Sequence, residues 1–116
     1  MAAILLAGGS GRRLAQKTQD KTLLMIGGKP VIQYSLEAFS RSEYVEKVVV
    51  VFRDEAQRQA IAETVPDGLA SSLLWARGGK ERQDSVWAGL QTLPRQTEVV
   101  LIHDGARPMI ASQVID

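Results

Sequence analysis

The sequence predicts an α/β domain with an open, mostly parallel sheet covered by helices on both faces. Three observations carry that expectation. Apolar runs alternate with amphipathic stretches in the order β-α-β-α-β-α-β, which short right-handed crossovers fold into one sheet. The run Val48-Val49-Val50-Val51 is β-branched without alternation, as a strand buried on both faces requires. The turns between these stretches are marked by Gly, Pro, Asp and Ser rather than by any repeat or low-complexity segment.

Taken in order, residues 2–6 make the first strand, and it stops at the glycines that follow Ala7. After Gly27-Gly28-Lys29, Pro30 is expected at the first helical position, and Ile32, Leu36 and Phe39 give that helix an apolar stripe as far as residue 40, with Tyr34 packed beside it. Residues 46–52 form the second strand. Residues 53–65 are expected to be helical, with Ala56, Ile61 and Val65 inward and Asp54, Glu55, Arg58 and Glu63 on a solvated face. Pro66-Asp67-Gly68 breaks that helix, and residues 72–76 make a third strand. A helix then starts near Asp84 or Ser85 as N-cap, with Val86, Leu90 and Leu93 toward the core, and Pro94 ends it. The fourth strand, residues 98–103, delivers Asp104 at its carboxyl end.

Composition narrows the function classes. The 116 residues are 45% hydrophobic, enough for the core of one domain or part of one. A formal net charge of +1 implies no nucleic-acid or membrane partner through bulk charge, and no apolar run is long enough to span a bilayer. With no basic leader region at its start, the protein is expected to be cytoplasmic. Zero cysteines exclude disulfides, thiolate metal sites and a cysteine nucleophile.

The chemistry concentrates at the turn Gly8-Gly9-Ser10-Gly11-Arg12-Arg13, with Lys21 downstream. Glycines let backbone N–H groups converge on an anion, and the cations supply charge, so the turn has the makeup of a phosphate cradle. It also fits a plain strand-to-helix turn with solvated cations. Neither Gly28-Lys29-Pro30 nor Gly79-Lys80-Glu81 completes a P-loop, and Leu14 stands where a dinucleotide fingerprint needs its third glycine. What remains suits a triphosphate whose charge is neutralised during transfer.

A strand order of 3-2-1-4 would reverse between the first and fourth strands, and ligands of open α/β sheets bind outside the carboxyl ends at such a point. The cradle and Asp104 meet there, and a carboxylate facing a polyphosphate suggests Mg²⁺ held by Asp104. An Asx turn before Gly105 is the plainer reading of the same residue. Gly78-Gly79-Lys80-Glu81-Arg82, followed by Ser85, lies on the same edge and fits either a base pocket or a helix-capping turn.

Three separated motifs carry a resemblance: Ala7-Gly8-Gly9-Ser10-Gly11-Arg12-Arg13 with Lys21, Gly78-Gly79-Lys80-Glu81-Arg82-Gln83-Asp84-Ser85-Val86, and His103-Asp104-Gly105-Ala106-Arg107-Pro108. In order and spacing they resemble the 2-C-methyl-D-erythritol 4-phosphate cytidylyltransferase family. The resemblance implies a Rossmann-like nucleotide-diphospho-sugar transferase fold, here incomplete, with residues 1–116 as the nucleotide-binding part of a single cytidylyltransferase domain. It implies that Ala7, Gly8, Gly9 and Gly11 bind CTP, that Arg13 and Lys21 are catalytic, that Gly79, Arg82 and Ser85 belong to the cytosine and ribose pocket, and that Asp104 binds Mg²⁺. His103 is read as structural. The substrates implied are CTP and a sugar-alcohol phosphate. Family members are homodimeric and longer, so the dimer arm and the acceptor half-site are expected outside this chain.

Asp20 stands where members usually carry Pro. A ribitol-5-phosphate cytidylyltransferase and a catalytically inactive nucleotide-binding fragment are the alternatives. Val99-Val100-Leu101-Ile102 would form an open apolar edge in the 3-2-1-4 order, of the kind natural domains cover.

Overall fold

A computed structural model of the chain describes residues 1–7, 21–70, 72–95, 97 and 99–105. Along the chain run β1 (Ala2–Leu6), a 3-10 turn (Lys21–Leu23), β2 (Met25–Ile26), β3 (Lys29–Pro30), α1 (Val31–Arg41) and β4 (Lys47–Phe52). Then follow α2 (Glu55–Ala62), α3 (Asp67–Ala70), β5 (Leu73–Arg77), α4 (Arg82–Thr92) and β6 (Val100–Asp104). Four of the strands make one sheet in the order β5-β4-β1-β6, and every pairing in it is parallel. This is the 3-2-1-4 order supposed above, with its reversal between β1 and β6.

β1 is central because all five of its residues are apolar and buried, with β4 against one side and β6 against the other. Alternation along the strands then builds two cores. Ala3, Leu5, Val48 and Val50 meet Ile32, Leu36 and Phe39 of α1, Ile61 of α2 and Leu69 of α3 on one face. Ala2, Ile4, Leu6, Val49 and Val51 meet Val86 of α4 and Leu93, its C-cap, on the other. Each fully buried Leu, Ile or Phe contributes about 1.5–3 kcal/mol relative to exposure. A Cβ on Gly89 would lie 2.9 Å from Ile4 Cγ2, so this glycine is what lets α4 sit down on β1.

Several expectations are corrected. Pro30 is the N-cap of α1 rather than its first helical residue. The stretch before it forms a two-stranded antiparallel hairpin, with Gly27 and Gly28 at φ 60 and 86°, the pair of positive values that a tight hairpin turn demands. Tyr34 serves that hairpin instead of the core: its hydroxyl donates to the Ile26 carbonyl, and Lys29 Nζ lies 5.4 Å from its ring centroid. Pro66-Asp67-Gly68 does not merely end a helix, because Leu69 and Ala70 N–H groups donate to the Pro66 carbonyl and form the single turn α3.

Two inward positions shift by one residue. In α2, Ala56 is exposed and Gln57 is buried on the stripe shared with Ile61, a position that apolar periodicity cannot reveal because the residue is polar. Arg58 keeps to the solvated face, paired with Glu55 at 3.1 Å, while its guanidinium carbon lies 5.1 Å from the Trp75 ring centroid and 5.8 Å from that of Phe52. In α4, Leu90 is 38% exposed while Gly89 takes the core position. The helix begins at Arg82, three or four residues ahead of the start that an Asp84 or Ser85 N-cap implies, with Glu81 as N-cap instead. Among the described residues no helix is long and apolar enough to cross a membrane.

Candidate functional site at the carboxyl edge of the sheet

Three strand exits converge on the carboxyl edge. At the first, the Ala7 N–H donates to the Val51 carbonyl at 2.9 Å, while the Ala7 carbonyl accepts from Gln57 Nε2 at 2.9 Å. The chain therefore leaves β1 with both sides of Ala7 tied down. The remainder of the predicted cradle, Gly8, Gly9, Gly11 and Arg13, lies outside the described residues. Lys21 opens the 3-10 turn whose Leu23 packs on the α1-side core.

At the second exit, Asp104 is the last residue of β6 and the register partner of Leu6. Its carboxylate stands on an exposed residue. Period-2 alternation puts it on the face that carries Val100 and Ile102, which is the α4 face. The Gly105 N–H extends the ladder to the Leu6 carbonyl at 2.8 Å, and a Cβ on Gly105 would come within 3.1 Å of that same oxygen. A side chain there would push the two exits apart. His103 points to the opposite face, edge-on to Phe39 with ring centroids 6.3 Å apart, which fits a packing role.

At the third exit, the Gly78 N–H donates to the Phe52 carbonyl at 2.8 Å, and the Gly79 N–H donates to Ser85 Oγ at 3.2 Å. Asp84 Oδ2 accepts the Glu81 N–H at 3.2 Å in a capping box, so the loop is closed by its own helix start. A Cβ on Gly78 would sit 2.7 Å from Ser85 Oγ and 3.2 Å from Val51 Cγ1. Val51 is the register partner of Leu6, so Ser85, which is 1% exposed, reaches the edge beside the strand that flanks β1. Arg82 is exposed at the first position of α4, whose N-terminal dipole also favours an anion.

Ala7, Gly79, Arg82, Ser85 and Asp104 are thus brought to one edge, the last four on the α4 side of the sheet. Among the described residues no cluster of three or more His, Cys, Asp or Glu side chains could hold a metal. Asp104 offers one carboxylate, which suits an ion that completes its shell with phosphate oxygens and water, as Mg²⁺ does. A groove lined by Trp87, Leu90, Leu93, Arg95 and Val100 opens at the amino end of β6, the opposite edge from these residues.

Sequence reasoning passed over the device at the β4 exit. Asp54 is the N-cap of α2, and its Oδ1 accepts the Gln57 N–H at 2.9 Å. That hydrogen bond first, then the one from Arg53 Nε at 3.0 Å, holds the Asp54 carboxyl below its ordinary range. The Gln57 side chain uses both ends: Oε1 accepts the Arg53 N–H at 2.7 Å, and Nε2 reaches Ala7. The signal that announces this arrangement is Asp54 followed three residues later by Gln57, the spacing of a capping box.

Comparison with known proteins finds relatives in sequence and in fold. A 2-C-methyl-D-erythritol 4-phosphate cytidylyltransferase of Lachnospira eligens is 44% identical over 114 residues, covering 98% of this chain and 49% of that protein. The crystal structure of a 4-diphosphocytidyl-2C-methyl-D-erythritol synthase from Anaerococcus prevotii superposes with a TM-score of 0.78 at 28% identity, over 98% of this chain and 46% of that one. A CMP:2-keto-3-deoxy-manno-octonic acid synthetase complexed with CTP shares the fold, with a TM-score of 0.70 at 21% identity over 98% of this chain and 43% of its own. The chain spans about half the length of the Lachnospira relative, 49%. The family profile described as "IspD: 2-C-methyl-D-erythritol 4-phosphate cytidylyltransferase" matches residues 1–116, and the chain belongs to that family.

Proposed function

We propose that the carboxyl edge between β1 and β6 holds CTP with Mg²⁺, and that the protein serves cytidylyl transfer to 2-C-methyl-D-erythritol 4-phosphate with release of pyrophosphate. The observation that carries this reading is the register pairing of Leu6 with Asp104, which sets a carboxylate beside the exit toward the glycine-rich stretch at the point where strand order reverses. Family membership and the activity of the Lachnospira relative support the nucleotide and the acceptor.

The transfer needs no covalent enzyme intermediate. An acceptor phosphate oxygen attacks the α-phosphorus of CTP, the bond to the bridging oxygen breaks, and pyrophosphate carries away the electron pair. Positioning and charge neutralisation supply the rate. Ala7 and the backbone of Gly8, Gly9 and Gly11 would cradle the phosphates, and Arg13 and Lys21 would offset the charge that builds on them. Gly79, Arg82 and Ser85 would hold the cytosine and ribose. Asp104 would hold Mg²⁺, whose chemistry when bound would be neutralisation of phosphate charge. The setting proposed is cytoplasmic, and the partners are CTP and the acceptor phosphate.

Pyrophosphate release from CTP and Mg²⁺ tests the transfer, with 2-C-methyl-D-erythritol 4-phosphate and ribitol 5-phosphate compared as acceptors. Release with the first and little with the second is the expected result. Preference for ribitol 5-phosphate overturns the acceptor, and binding of CTP without release from either overturns transfer by this chain.

A further inference from the structure

We infer that Gln57 is a positioning residue for the nucleotide site: from 50 residues away it fixes the direction in which the chain leaves β1 toward the glycine-rich stretch. The inference rests on the CTP reading above for its functional consequence, though not for its geometry.

Gln57 is 2% exposed, and a buried amide is expensive unless both its ends are paired. Here one end accepts the Arg53 N–H at the β4 exit and the other donates to the Ala7 carbonyl at the β1 exit. The orientation of the amide is set by its partners, because an N–H can only face the side-chain oxygen and a carbonyl can only face the NH₂ group. Gln57 is in turn seated by its own N–H on Asp54 Oδ1.

The consequence follows from peptide geometry. A trans peptide is planar, with its N–H directed away from its C=O, so holding the Ala7 carbonyl fixes the plane of the peptide by which the chain leaves β1. The Ala7 N–H is already held by the Val51 carbonyl. With both sides of Ala7 held, its carbonyl, from which the chain continues toward the glycine-rich stretch, has one direction in which to point. A phosphate cradle depends on that direction, since amides aimed before the ligand arrives lose little freedom on binding. Gln57 itself need not touch the nucleotide.

The test compares wild type with Gln57→Met, which keeps the side-chain length and removes both hydrogen bonds. Ile61→Val, one turn along on the same buried stripe, controls for general loosening of α2. Amide hydrogen exchange is read in peptides covering residues 4–14, and Mg²⁺-CTP affinity by calorimetry.

Gln57→Met is expected to speed exchange in those peptides and to weaken CTP binding by about fivefold, the scale of one lost hydrogen bond. Ile61→Val should do neither, even where its melting temperature falls as far. Unchanged exchange in Gln57→Met overturns the positioning role whatever CTP does. Faster exchange with undiminished CTP affinity overturns its link to the nucleotide. Failure of the folded wild type to bind Mg²⁺-CTP overturns the nucleotide reading itself, with the exchange result still deciding the geometry.

Discussion

The exits of β1 and β5 stand on the same edge of one sheet but are held by opposite strategies. Beyond Gly78, whose N–H still pairs with the Phe52 carbonyl, the β5 exit is closed by neighbours in sequence: Ser85 takes the Gly79 N–H, and Asp84 takes the Glu81 N–H. The β1 exit is closed by residues far along the chain, Val51, Gln57 and the Gly105 N–H on Leu6. A locally closed loop forms with its helix and can be altered alone. A remotely closed one is only as well placed as the packing of α2, β4 and β6 around it.

The sharpest break in this contrast is Gly79→Ala. A Cβ there would stand 2.4 Å from Asp84 Cβ, a contact that no rotamer change relieves. Overpacking of this kind costs about 1–3 kcal/mol, read as a lowered melting temperature in calorimetry. Because the β5 exit is held locally, amide exchange at residues 2–7 should stay at its wild-type rate. Spread of the damage to β1 would contradict the distinction.

Ser85→Ala is expected to do less. It removes the acceptor of the Gly79 N–H without adding bulk, a loss of about 1 kcal/mol measurable by denaturant unfolding. A change under a few tenths would mean that the Gly79 amide finds another partner and that the loop is not closed by Ser85.

The smallest effect sharpens the remote side. Asn is as good an N-cap as Asp, so Asp54→Asn should leave α2 capped and change stability little. The Asp54 carboxyl titrates below its ordinary value in the folded protein, so its contribution is complete above the unfolded value of about 3.9 and is lost as pH falls through the folded one. Any advantage of wild type over Asp54→Asn should therefore be present near neutral pH and vanish in acid. The side chain is 44% exposed, which keeps that advantage small. Glu37, also held low by its Lys29 and Gln33 hydrogen bonds, is common to both proteins and cancels in the difference. A gap in melting temperature that does not change with pH would show that the charge of Asp54 contributes nothing.

What the sequence reveals divides along the same line. The alternation of four parallel strands with helices follows from apolar runs and right-handed crossovers, whereas their order, which brings Asp104 beside the β1 exit, is seen only in the structure. The clustering of Gly79, Arg82 and Ser85 is equally legible, because helix-start chemistry lies within a few residues. Gln57 is legible only in its spacing from Asp54; its reach to Ala7 is not, since that partner is 50 residues away and a buried polar side chain breaks the apolar pattern used to find inward positions. Gly89 escapes for a related reason: apolar periodicity counts side chains, whereas this position is buried because it has none to keep α4 off Ile4. The hairpin of β2 and β3 is short and exposed at Met25 and Ile26, so it leaves no periodic signal, and only Gly27-Gly28 marks it.

The central claim is that CTP binds with Mg²⁺ at the edge where β1 and β6 end. Calorimetric titration of CTP into wild type, Asp104→Ala and Ser85→Ala, each with and without Mg²⁺, tests it most directly. The account predicts binding that requires Mg²⁺ and weakens in both variants, with the Mg²⁺ dependence lost only in Asp104→Ala. Undiminished, Mg²⁺-dependent binding in Asp104→Ala, or no binding by folded wild type, would contradict it.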